Sequence, residues 1–222
     1  MRKLIPALLV FALAGGTIVA QEKRAPGKDE LLSGIPSGRT RVVDLTYALN
    51  DKLPKWPGDT RVFEARTNAT VEKNGYFTRH VWMLEHYGTH MDAPAHFPPG
   101  KATVDQIPPQ RLFGPAAVID VTKDVAGDAE YRLTVERLAH WERDHGRIPA
   151  GAIVLLRTGW AQRWPDESRY RNIGPDGNMR FPGFSVEAVQ MLIERKVSGL
   201  GIDTLSVDYG RSAEFEVHKL SH

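Results

Sequence analysis

The 222-residue chain contains no cysteine. That absence excludes a disulfide framework, a thiolate nucleophile and thiolate metal ligation, so any metal must be held by histidine and carboxylate. An excess of charge is lacking too, with 29 Lys and Arg against 27 Asp and Glu. Setting aside Arg2 and Lys3, which belong to an N-terminal targeting pattern, makes the two equal. A neutral chain without a basic stripe has no electrostatic footprint for nucleic acid or anionic lipid. Also missing are a G-x-S-x-G nucleophile elbow, a G-x-x-x-x-G-K-[ST] phosphate loop and an H-E-x-x-H pair; Glu85 precedes His86 instead of following it. These absences disfavour a serine hydrolase, a nucleotide enzyme and a zincin peptidase. The one long uncharged run, residues 4–20, falls short of the roughly 20 apolar residues of a membrane span and is broken by Pro6, Gly15 and Gly16.

Apolar content is ordinary, at 41%. A chain of this size buries roughly 70% of its extended surface. It needs no metal to hold its core, and a metal site is therefore free to be functional. Residues 1–20, with Arg2 and Lys3 before an apolar run ending in Ile18-Val19-Ala20, read as a secretory signal peptide, which predicts a secreted or periplasmic protein with no membrane association in the mature form. Residues 21–40 read as a polar lead or linker, and residues 41–222 as the folded domain.

Within that domain, strands are predicted over residues 41–47, 61–71, 77–86, 116–121, 152–156 and 197–205, which places His86 at a strand end. Thr134 is positioned to cap a helix running to about His145 and stopped by Gly146, and a second helix is predicted over residues 185–196. Strands and helices mix without regular alternation, so the expected fold is a single α/β domain with a mixed sheet and flanking helices. Residues 159–184 show no apolar period and are expected to form a functional cover, with Trp160, Trp164, Tyr170 and Phe181, beside Trp56 and Phe97, available as aromatic walls.

Four of the eight histidines, His80, His86, His90 and His96, fall between residues 80 and 96, where even scattering would place fewer than one. The run from His86 to His96 is H-x3-H-x-D-x3-H. Spacing of four suits a helix face, but Gly88 and Pro94 argue for a strand end running into a tight loop, and a loop can curl several imidazoles around one point. Two neutral imidazoles plus the Asp92 carboxylate form the open three-ligand set of catalytic zinc or manganese sites. His86, His90 and Asp92 are therefore read as ligands to one divalent ion, with Asp92 able to bridge to a second. His96 is left as the acid/base, because a metal acidifies its water to a pKa of about 7 and an unligated imidazole titrates near that value. The competing reading of the same residues is a closed structural zinc site. His80, His140 and His145 are read as packing residues.

The segment His86-Tyr87-Gly88-Thr89-His90-Met91-Asp92-Ala93-Pro94-Ala95-His96-Phe97 resembles the signature of the metal-dependent cyclase family, which includes bacterial kynurenine formamidase and isatin hydrolase. Further matches are Asp44-Leu45-Thr46, residues 54–59, residues 155–160, residues 181–185 and residues 199–208. The resemblance implies a swivelling β/β/α-like fold, a homo-oligomer and hydrolysis of a small amide or lactam by metal-bound hydroxide. An arylformamidase-like activity is its first implication, and a cyclic amide or lactone hydrolase is the alternative. It also implies that Trp56 contacts the substrate and that His218 is the histidine ligand of a second metal. The family pattern continues beyond that histidine with a carboxylate, and no Asp or Glu follows Glu216 in these 222 residues. At most one tightly held ion is expected on that ground. A reading from another class is a non-catalytic exported metal-binding protein that keeps the fold.

Overall fold

The computed structural model describes residues 32–222; the signal-peptide expectation and most of the predicted lead lie outside them. The described residues fall into two compact units divided between Leu45 and Thr46. In the first, residues 32–34 are helical, and the chain turns as Ile35 N–H donates to the Leu32 carbonyl at 3.2 Å and Thr40 N–H to the Gly34 carbonyl at 3.1 Å.

The second unit runs β1 (Phe63–Ala69), α1 (Val71–Asn74), β2 (Thr78–Met83), β3 (Ala116–Asp120), α2 (Thr122–Gly127), β4 (Arg132–Leu133), α3 (Val135–His145), β5 (Ile153–Arg157), α4 (Glu167–Arg171), β6 (Gly183–Phe184), α5 (Val186–Glu194), β7 (Gly199–Ile202) and α6 (Glu216–Ser221). β1 and β2 pair antiparallel, with Phe63 opposite Met83. β3, β5 and β7 form a parallel sheet with β5 central, and β4 pairs parallel with β6. A parallel pair needs a crossover of a dozen or more residues, and the segments carrying α3 and α5 supply them. The expected α/β fold with flanking helices forms, and its two strand directions are divided among three sheets.

Both long helices are set by local chemistry. The Thr134 hydroxyl accepts from Arg137 N–H at 3.2 Å, and Gly146, at φ 88°, ends α3 while its N–H closes on the Glu142 carbonyl. The Ser185 hydroxyl accepts from Ala188 N–H at 3.1 Å to start α5. Leu138 of α3 and Ala188, Val189 and Leu192 of α5 pack on Ile119, Val154 and Leu156 of the parallel sheet as the main core, which also takes in Val217 of α6.

Three expectations are corrected. No strand forms over residues 41–47: alternating apolar types alone do not make a strand, and no described sheet includes this segment. β2 stops at Met83, so His86 lies three residues beyond the strand, within a bend. Residues 159–184 are not a structureless cover. They contain a 3-10 turn at Trp160–Arg163, then α4 capped by the Asp166 carboxylate, then β6. Trp160, Tyr170, Met179 and Phe181 are buried against one another as a second core, so the first two and Phe181 are packing residues, not walls of an open site.

Candidate metal centre and active site

The histidine loop leaves β2 and is pinned immediately. Tyr87 is buried, its hydroxyl donating to the Asn50 carbonyl at 2.8 Å and accepting from Leu53 N–H at 3.0 Å. The next residue, Gly88, turns the chain at φ 71°, and a Cβ there would lie 2.5 Å from Leu49 Cδ2. Only glycine fits both conditions. The chain then returns through His90 and Asp92 to a 3-10 turn at Pro94–His96, with proline at its first position. From the other end of the sequence, α6 delivers His218, which is buried.

Asp92 lies at the centre of this group. Its Oδ1 is 2.7 Å from His86 Nδ1 and 3.2 Å from His90 Nε2, and its Oδ2 is 3.7 Å from His218 Nε2. The rings of His86 and His96 stand 3.8 Å apart between centroids. One ligand atom each from His86, Asp92 and His96 lies within 4.8 Å of the other two. His90 and His218 have assigned faces. His90 Nδ1 donates to the Gly88 carbonyl at 2.9 Å, and His218 Nδ1 donates to Asp208 at 2.6 Å, so each leaves Nε2 toward Asp92.

Desolvation opposes charge on Asp92, but its interactions with His218 and His90 and the positive potential of the surrounding rings outweigh that, holding the carboxyl well below the usual carboxylate range. It is therefore an anion at any working pH. Desolvation also opposes charge on His90, but Asp92 and the Gly88 carbonyl raise its pKa overall. The pKa of His96 is lowered, first by desolvation among the clustered rings and then by charge on His86. A neutral His96 retains a basic nitrogen.

The donor set of imidazole nitrogens and one ionised carboxylate, without sulfur, fits a borderline divalent ion such as zinc or manganese. His222 adds a second observation in favour of that fit. Its ring lies 5.7 Å from that of His218 and 6.0 Å from that of His96, and its buried Nδ1 has no hydrogen-bond partner. An orphaned ring nitrogen at the rim of such a cluster is what an ion would satisfy.

All the site residues expected from sequence, except Trp56, meet around Asp92. Trp56 joins through aromatic contact: it lies 5.7 Å from Phe215, which lies 5.4 Å from Phe97, which in turn lies 4.9 Å from His218. His80 is on β2 opposite Arg66, His140 pairs with Asp144 at 3.1 Å and His145 stacks on Trp141; all three are exposed, so the packing role expected of them is corrected to a surface one. Sequence reasoning missed Asp208, Phe215 and His222. Phe215 has a left-handed backbone, φ 51°, uncommon for an aromatic residue and frequent at functional sites. Only His222 left a readable signal, its spacing of four from His218 on one helix face.

The fold and this centre define an α/β protein whose site is built on a histidine-rich loop, and residues 43–209 match the model of the family described as putative cyclase. The chain belongs to the cyclase family and is an amidohydrolase. It is 34% identical over 202 residues to isatin hydrolase of Roseibium aggregatum, covering 84% of this chain and 76% of that protein. To kynurenine formamidase of Bacillus cytotoxicus it is 31% identical over 181 residues, covering 79% and 74%. The solved structure of isatin hydrolase A from Ralstonia solanacearum superimposes with a TM-score of 0.77 at 36% identity, covering 90% of this chain and 82% of that one.

Proposed function

We propose that the protein opens a small aryl lactam of the isatin type by metal-dependent hydrolysis of its amide C–N bond. Supporting the cyclic substrate is the greater identity and coverage of the isatin hydrolase relatives. This reverses the order of the two substrates expected from sequence. The linear formamide stays as the second reading on its 31% match.

The observation that carries the reading is the convergence of His86, His90, His96 and His218 on one ionised carboxylate, Asp92. His86, His90 and Asp92 would hold the ion, with His218 Nε2, 3.7 Å from Asp92 Oδ2, available as a further donor. Zinc or manganese, when bound, polarises the carbonyl and acidifies water. Asp92 supplies the anionic donor, and His90 is oriented by the Gly88 carbonyl. Desolvation among the clustered rings, and then charge on His86, keep His96 neutral, with a ring nitrogen free to accept a proton. It takes the proton released as water oxygen bonds to the carbonyl carbon and returns it to the nitrogen as the C–N bond breaks. Trp56, Phe97 and Phe215 form the aromatic side against which a flat bicyclic ring can rest. The N-terminal pattern of residues 1–20 supports action after export.

The test is isatin turnover and metal content of wild type and His96→Ala. The variant is expected to keep its metal and lose turnover by about a hundredfold or more. Unchanged turnover would remove His96 from the mechanism. Loss of metal together with activity would instead make His96 a ligand beside His86 and Asp92, whose ligand atoms lie within 4.8 Å of its own.

A further inference from the structure

We infer that Asp208 is a positioning residue that fixes which nitrogen of His218 faces the centre. The inference rests on the metal-centre reading above, but half of its test does not. Asp208 is 2% exposed, among the most buried charged groups of the described residues. Both oxygens are fully engaged. Oδ1 accepts from Val217 N–H at 2.9 Å and from the Ser212 hydroxyl at 3.1 Å. Oδ2 accepts from His218 N–H at 3.1 Å and His218 Nδ1 at 2.6 Å. Val217 and His218 are the second and third residues of α6, whose own N-cap, Phe215, has a left-handed backbone and makes no side-chain cap. Asp208 therefore does from a distant loop what a cap residue does locally, and it grips the first turn and the imidazole with the same carboxylate.

The consequence concerns a proton. An imidazole whose Nδ1–H is held by a carboxylate presents Nε2 as a lone pair, the form in which histidine binds a metal. Here Nε2 points at Asp92, 3.7 Å away. The ring is flanked by Phe97, with centroids 4.9 Å apart, and by Phe215, at 5.8 Å. Among the described residues, Asp208 is the hydrogen-bond partner of Nδ1 that selects that tautomer.

The test uses the full-length protein without metal and reads the His218 ring nitrogens by long-range proton–nitrogen NMR. Wild type is expected to show the Nδ1–H tautomer, and an Nε2–H tautomer would overturn the inference without any variant. Asp208→Asn, which turns an amide NH2 either toward the two His218 N–H groups or toward Val217 N–H and the Ser212 hydroxyl, is expected to admit the Nε2–H form and to weaken zinc binding by about 10- to 100-fold in titration calorimetry. Ser212→Ala removes one bond to the same carboxylate without touching His218, and is expected to keep the tautomer and hold zinc affinity within about twofold of wild type. A folded Asp208→Asn with the wild-type tautomer would overturn the inference. Wild type that binds no zinc yet shows the Nδ1–H tautomer would instead overturn the metal reading and leave the positioning role standing.

Discussion

At the scale of single residues, the centre depends on a few positions with no freedom to change. Gly88 is one, because its φ is positive and the space beside it is filled by Leu49. Gly88→Ala adds a strained backbone to a close contact and is expected to cost about 1–3 kcal/mol. It should also displace His86 and His90, so both Tm and zinc affinity should fall; a variant with wild-type values of both would show that the turn is not constrained as described. His86, His90, Asp92 and His96 were legible from sequence because they are neighbours in one loop and metal-ligand spacing is a local pattern. Asp208 was not legible, since its partners lie on a helix that begins eight residues later and only the folded chain brings them together.

Among elements, α3 and α5 were legible in type and nearly in extent because their capping side chains and stop residues lie within the helices' own sequence. The predicted second helix ended two residues too late. Its last residue, Lys196, adopts a left-handed backbone, φ 58°, which no helix continues through. The aromatic segment from Trp160 to Phe181 was misread because its residues pack on one another across turns, not at a fixed period. The two long helices are also tied by charge. Arg195 donates through Nε and Nη2 to the two carboxylate oxygens of Glu142, each at 2.9 Å, and both side chains are largely buried. The hydrogen bonds from Arg195 lower the pKa of Glu142, outweighing the effect of burial. A carboxylate with a depressed folded-state pKa stabilises the fold above its unfolded value, about 4.3, and loses that contribution as pH falls through the lower folded value. Arg195→Gln is therefore expected to cost about 1–3 kcal/mol at pH 7, and the difference from wild type should shrink as pH drops below about 4. Denaturant unfolding at pH 7 and pH 3 checks this. A difference that is independent of pH would rule out the charge.

Taken as a whole, the molecule places a histidine loop pinned by Tyr87 and Gly88 against a helix that is anchored in the core by Val217 and held by Asp208. The loop and the helix meet at Asp92 and its neighbouring rings and where Phe97 lies against Phe215. A divalent ion would join them. Family membership, the α/β class and the ligand loop were all readable in sequence; the way α6 is held against the loop required the fold. The account stands most directly on one measurement, the rate of isatin hydrolysis by wild type and His90→Ala before chelation, after chelator treatment and after zinc or manganese is restored. The expected result is that chelation abolishes wild-type turnover, that restored metal recovers it, and that His90→Ala neither holds metal tightly nor turns over under any of the three conditions. Wild-type turnover that persists undiminished after the metal has been removed would contradict the account.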